Sequence, residues 1–196
     1  MNAIASPSSA LTPAAEKILA TASELFYAYG IHAVGVDRIV AESGVTKKTL
    51  YDRFGSKEQL VLAYLRRRED QWRLALSIEL RSHPIPGTER ILAVFDAADT
   101  WYTGRSLKGC SAVNARAEEG PEVQEHLVVR EVMEQKRWML RSFVDLCTEA
   151  GMARPDETGK HLLLILEGAL VTLGTHSFED PMRVAKEAAH MILTPH

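Results

Sequence analysis

An all-α fold of about nine helices, with a small three-helix module ahead of a larger helical domain, is what three features of this 196-residue chain predict. Apolar residues recur every three or four positions, and no stretch alternates with period two. Glycine and proline steps cut the pattern into helix-sized pieces, most sharply at His83-Pro84-Ile85-Pro86-Gly87, Gly120-Pro121 and Asp180-Pro181. A short basic stretch, Gly44 to Gly55, is bounded by a glycine at each end. No internal repeat is visible.

The elements follow in order. Residues 1 to 11, rich in Ala, Ser and Pro, read as a flexible arm. Thr12-Pro13 is a helix start, Thr as N-cap and Pro at the first helical position, where its missing N–H costs nothing. Ile18, Ala22, Leu25, Phe26 and Tyr29 form the inner stripe of that helix, and Gly30 closes it. A second helix is expected over Val36 to Ser43, burying Val36, Ile39 and Val40, with Gly44 taking the turn at positive φ. Thr46 then caps a third helix, stapled by Val45 and Leu50, with Leu50 and Phe54 facing inward. Ser56-Lys57-Glu58-Gln59 has the form of a capping box and opens a long fourth helix to about Ser82. After the Pro-rich break, helices are expected over Thr88 to Thr103, Cys110 to Glu118, Glu122 to Ala150, Asp156 to His176 and Pro181 to Leu193.

Composition narrows the function. The net charge is -3 and the pI about 6.2, so a generally basic nucleic-acid coat is excluded and the distribution of charge becomes the signal. Residues 44 to 57 carry Lys47, Lys48, Arg53 and Lys57 against Asp52 alone, a local positive excess on an acidic chain. Two cysteines, Cys110 and Cys147, with no Cys-x-x-Cys step argue against a disulfide scaffold or structural zinc site, and a reducing cytoplasm is the expected compartment. The longest apolar run, Leu162 to Leu166, is far short of the ~20 residues that span a bilayer, so no membrane association is expected. Enzyme motifs fail: the glycine spacing of Gly104 to Gly109 has Cys110 where a phosphate loop needs lysine, and neither a Gly-x-Ser-x-Gly step nor a histidine pair of metal-ligand spacing occurs. No cofactor or metal is expected.

Helix, glycine turn and basic helix is the helix-turn-helix order, whose second helix enters the major groove while the first crosses the backbone. Lys47, Lys48, Thr49, Tyr51 and Arg53 point away from the Leu50–Phe54 stripe and make a DNA-contact surface. The motif Val-Thr-Lys-Lys-Thr-Leu-Tyr-Asp-Arg-Phe-Gly-Ser-Lys-Glu resembles the DNA-binding signature of the TetR family of transcriptional regulators, most clearly over residues 13 to 65. The resemblance implies that Lys47, Lys48 and Thr49 approach bases or nearby phosphates, and that Tyr51 and Lys57 hold phosphates, with Thr46 both cap and phosphate donor. Many relatives place hydroxyl residues ahead of the second helix, where this chain has Val34 and Gly35; a phosphate contact there falls to backbone N–H groups helped by Arg38. Domains are expected at 12–56 for the helix-turn-helix and 57–196 for ligand binding and dimerisation.

The carboxy-terminal half carries weaker signals. Residues 161 to 173 are apolar almost all round and need cover on more than one side, which a homodimer with Pro181 to Leu193 as neighbouring helix supplies, as is usual in the family. A pseudo-palindromic double-stranded DNA operator follows from twofold symmetry. A cavity for a small organic effector is expected to draw on Trp72, Phe95, Asp99, Trp101, Tyr102, Cys110, Asn114, Trp138 and Glu167, with Phe95, Asp99 and Tyr102 on one face as an apolar wall with a polar anchor. Glu167 awaits a cationic ligand, a partner-subunit group or a structural counter-ion; Arg66, Arg67 and Arg68 read as a solvated face. Cys110, at a helix start near Arg105 and Lys108, is either a small core residue or a thiol trigger sensing oxidants or electrophiles, as in a subset of the family. The leading expectation is a cytoplasmic repressor released by an effector. Thiol sensing through Cys110 is the alternative, and a small-molecule binding protein or enzyme that does not bind DNA is the alternative from another class.

Overall fold

A computed structural model describes residues 11–102, 108–120 and 126–194. Among them are nine α-helices and no strand: α1 Pro13–Tyr29, α2 Val36–Ser43, α3 Lys47–Phe54, α4 Lys57–Ser82, α5 Thr88–Tyr102, α6 Ser111–Glu118, α7 Leu127–Glu149, α8 Pro155–Thr175 and α9 Pro181–Leu193. The chain divides into two compact units, residues 1–64 and 65–196.

In the first unit, helix boundaries are set by local chemistry. The Thr12 hydroxyl accepts from the Ala15 N–H at 3.3 Å, Thr46 from Thr49 at 3.1 Å, and Ser56 from Gln59 at 3.1 Å, so each helix start has one orphan donor satisfied. Gly44, at φ 66°, makes the left-handed turn between α2 and α3 and donates its N–H to Val40. The core is built from Ile18, Ala22, Phe26, Val34, Ile39, Leu50 and Leu60, all nearly inaccessible, with the Phe26 and Tyr64 rings 5.7 Å apart. Of the three residues expected to bury α2, only Ile39 is buried; Val36 and Val40 are half-buried. Eight residues give α2 little over two turns, so one inward position per turn suffices, and Val34 just ahead of it completes the contact.

The second unit wraps a single core around α5, whose Ile91, Val94, Phe95 and Ala98 are buried against α7 and α9. Phe143 of α7 meets Phe95 at 6.0 Å between ring centroids. Helix α7 starts at Leu127, not at Glu122, because His126 is extended and lies 3.6 Å from Glu119; residues 122–125 and Thr103 fall outside those described. Helix α8 opens one residue earlier than expected, on Pro155 at its first position. The arm at residues 1–10 and the cation Arg105 proposed beside Cys110 also lie outside the described residues. No helix among those described is long and apolar enough to cross a membrane.

Candidate DNA interface and interior cavity

Helix α3 carries the basic face. Thr46, Lys47, Lys48, Tyr51 and Arg53 are exposed, Thr49 and Lys57 half-buried, and Leu50 fully buried, so the side chains outside the Leu50 stripe are available to a groove. Two carboxylates hold its lysines in the free protein. Lys47 Nζ donates to Asp37 Oδ1 at 2.8 Å, from α3 to α2, and Lys48 Nζ donates to Asp52 Oδ2 at 2.7 Å, one turn along α3. The Asp37 hydrogen bond and charge hold the Lys47 ammonium above the usual lysine range. Arg38 donates to Glu42 Oε1 at 2.7 Å and lies over the Tyr29 ring, 4.0 Å from its centroid. Such exposed pairs are weak, ~0 to 1 kcal/mol, and readily exchanged for phosphate. The Thr46 and Thr49 hydroxyls are 2.8 Å apart, which ties the cap to the next turn.

The second unit encloses a cavity of about 60 Å³ whose wall includes Trp72, Trp101, Tyr102, Gln135, Lys136 and Glu167. A neighbouring, more open chamber of about 280 Å³ shares Cys110, Glu167 and Leu170 with it and adds Val113, Asn114, Val171 and Gly174. At their junction Lys136 Nζ donates to Glu167 Oε1 at 2.6 Å and to Cys110 Sγ at 3.1 Å. Burial opposes the Lys136 charge, but Cys110 and Glu167 outweigh it and leave the ammonium above its ordinary pKa. Gly109 sets the sulfur in place: at φ 68°, a Cβ there would lie 2.7 Å from the Leu170 carbonyl oxygen of α8. Glu69, also on the wall, is engaged by Arg73 at 2.8 Å; burial lifts its pKa, against the opposing pull of that guanidinium.

The model of bacterial regulatory proteins of the tetR family matches residues 18–64. Over nearly the whole chain, the structure is similar to SCO4454, a TetR-family transcriptional regulator from Streptomyces coelicolor. Identity is 30%, coverage 92% of both chains, and the TM-score 0.80. The chain belongs to the TetR family. Its helix-turn-helix is also similar to that of the HTH-type transcriptional activator FasR of Mycolicibacterium smegmatis, 46% identical over 54 residues, which are 28% of this chain and 25% of FasR. The HTH-type transcriptional regulator LmrA of Bacillus subtilis is 35% identical over 80 residues, 39% of this chain and 43% of LmrA. The chain thus covers less than half the length of either curated relative. TetR-family proteins are DNA-binding transcriptional regulators, not enzymes.

In this TetR-family chain the expected cavity residues do not all meet. Trp72, Trp101, Tyr102, Cys110 and Glu167 line the inner cavity. Phe95 is sealed in the core at 1% exposure, and Asp99 is exposed, so the proposed wall with Asp99 as its anchor does not form. Asn114 lines the outer chamber and its amide donates to the Lys108 carbonyl at 2.8 Å. Trp138 faces a separate groove with Leu76, Leu80 and Leu146, beneath the Arg73 guanidinium at 4.2 Å. Glu167 finds its counter-ion in Lys136 of its own chain. Arg66 to Arg68 are not a plain solvated face: Arg66 bonds Glu131 at 2.8 Å, and Arg68 lines the cavity, 6.0 Å from the Trp101 ring centroid. Sequence reasoning missed Lys136, Gln135 and the lysine-holding role of Asp37. A lysine on the face of α7 shared by buried Val132 and Met139 was the available signal.

Proposed function

We propose that this TetR-family regulator is a homodimeric repressor that grips a pseudo-palindromic operator through α3 and is released by a small organic effector bound in its carboxy-terminal domain. DNA contact falls to Arg38, Thr46, Lys47, Lys48, Thr49, Tyr51, Arg53 and Lys57, with residues 12–56 as the DNA-binding domain and 57–196 as the effector and dimerisation domain. Its place of work is the cytoplasm, beside the DNA. The observation that carries the dimer is an apolar face left bare in one chain: Leu164 is 70% exposed and Val171 57% on α8, and Met191 is 69% exposed on α9. Residues seven apart on a helix share a face, so Leu164 and Val171 form one stripe. A second copy covers such a stripe about a twofold axis and sets the two α3 helices on half-sites ~34 to 36 Å apart.

The effector reading is supported by two adjoining chambers, one walled by tryptophans, with a charged pair where they meet. A ligand between α5, α7 and α8 that prefers one packing of those helices shifts the spacing of the α3 pair; couplings of ~1 to 3 kcal/mol are typical. Thiol chemistry is the less favoured trigger: the Lys136 ammonium suits a reactive sulfur at Cys110, but that sulfur is half-buried and the other cysteine, Cys147, is buried. Activation is the second reading of output, favoured by the name of FasR alone.

Light scattering of the wild type and of Leu164→Glu/Met191→Glu tests the dimer, with gel shifts on DNA upstream of the protein's own gene. The wild type is expected as a dimer that shifts the DNA, and the double variant as a folded monomer that does not. A wild-type monomer that still shifts DNA cooperatively would discard the reading.

A further inference from the structure

We propose that the effector is a neutral, hydroxyl-bearing one- or two-ring aromatic compound, read by Lys136 and Glu167 at the junction of the two chambers. This rests on the reading of residues 65–196 as an effector domain and names the chemistry that domain selects.

The argument begins with what the pair presents. Lys136 Nζ has three N–H groups and spends two, on Glu167 Oε1 at 2.6 Å and Cys110 Sγ at 3.1 Å. Glu167 accepts that bond through one of its two carboxylate oxygens, so among the described residues a donor and an acceptor remain side by side. Gln135, 6% exposed and part of the cavity wall, donates its amide N–H groups to the Leu65 carbonyl and to Glu131. Ser111 on the same wall adds a hydroxyl. At the pair itself a donor and an acceptor stand next to each other, and a group that donates and accepts at once, a hydroxyl, fits them.

Charge favours neither alternative. A carboxylate at the junction gains Lys136 but meets Glu167, and an ammonium gains Glu167 but meets Lys136, so a pair already neutralised has no net attraction for either. A phenol stays protonated at pH 7 and leaves the pair neutral overall. Volume then assigns the ring. An apolar cavity of ~150 Å³ accepts benzene. The inner cavity, about 60 Å³, is too small for a ring and suits water or a substituent, whereas the outer chamber, about 280 Å³ and lined by Val113, Leu170 and, at the stripe proposed to meet a second copy, Val171, takes one or two rings. Both chambers share Glu167, so a ring in the outer one places its hydroxyl at the pair.

Equilibrium dialysis of the full chain at pH 7 against four compounds of one ring body, 2-naphthol, 2-naphthoate, 2-naphthylmethylamine and naphthalene, reads the head group directly. Naphthol is expected to bind at least tenfold more tightly than the other three. In Lys136→Met/Glu167→Leu, which replaces both charges together and strands neither, naphthol is expected to lose that advantage while naphthalene binds as well or better. Equal or tighter binding of the naphthoate or the amine, or an unchanged naphthol preference in the double variant, overturns the proposal. If one of those compounds also releases upstream DNA in a gel shift, the effector reading stands and only its chemistry falls. Binding by none of the four overturns the hydroxylated aromatic; if a broader panel of small molecules also leaves the DNA bound, the effector reading falls with it.

Discussion

Two lysines of this chain hold carboxylates at nearly the same distance, Lys47 with Asp37 at 2.8 Å and Lys136 with Glu167 at 2.6 Å, yet they stand in opposite surroundings. The first pair sits in water, its side chains 53% and 85% exposed; the second is sheltered, at 28% and 23%. In water the pair is worth little and parts easily, as the proposed contact of Lys47 with DNA requires. Away from water each charge depends on the other, and breaking the pair costs more than making it gains. The DNA-binding unit thus displays its charges for exchange, and the carboxy-terminal unit keeps its charges matched at a cavity.

The sharpest way to break this comparison is to strand one sheltered charge. Lys136→Met leaves Glu167 without its counter-ion and is expected to lower unfolding stability by about 2 to 4 kcal/mol, somewhat under the value for a fully buried pair. Lys136→Met/Glu167→Leu is expected to recover most of that loss, because two apolar groups replace two charges. Equal damage from both variants in chemical denaturation would mean the pair behaves like its exposed counterpart. The same interior predicts an alkaline limit. Burial lifts the Cys147 thiol to about 11, so above the unfolded value of 9.0 the unfolded chain has lost a proton the folded chain keeps. Stability from this group is complete below pH 9.0 and declines as pH rises toward about 11. The thermal midpoint of the wild type should therefore fall more steeply across that window than that of Cys147→Ala, and a thiol reagent should label Cys110 long before Cys147 in the native protein.

On the DNA side the expected effects are smaller and local. Thr46→Ala removes the cap of α3 and is expected to cost about 1 kcal/mol of stability, read by denaturation of the full chain, together with weaker DNA binding. Lys57→Ala is expected to flatten the slope of log affinity against log salt by about 0.9, one phosphate contact fewer; an unchanged slope takes Lys57 off the phosphates.

How much of this was legible in the sequence follows the same divide. The start of α3 is written within four residues, Thr46 to Thr49, and its end in Gly55, so local chemistry is enough to place it. The Lys136 cluster joins residues 26 and 31 positions apart along the chain, on α7, on α8 and at the cap ahead of α6, and helical periodicity says nothing about which faces meet. Asp99 shows the limit within one helix. It follows Phe95 by four residues and shares a face with buried Leu92, seven residues before it, yet it is exposed: cover on that face ends within the helix, and periodicity does not say where a neighbouring element stops. The helix-turn-helix motif could be read because its proposed contacts are exposed side chains next to their own caps.

The smallest effect asks whether Asp37 merely parks Lys47 or withholds it from DNA. Asp37→Asn removes the charge that Lys47 must abandon on binding, while keeping the size of the side chain. Stability should change by less than ~0.5 kcal/mol, since the pair is exposed. Affinity for DNA should rise by up to about fivefold, the Boltzmann equivalent of a surface pair worth under ~1 kcal/mol. The salt dependence then separates the two roles. If Lys47 already reaches the duplex in the wild type, the slope stays as it was and only the affinity moves; if Asp37 holds it back, a new phosphate contact steepens the slope by about 0.9. The first outcome is the one expected of a pair this open to water, and the second would make the exposed pair as consequential as the sheltered one.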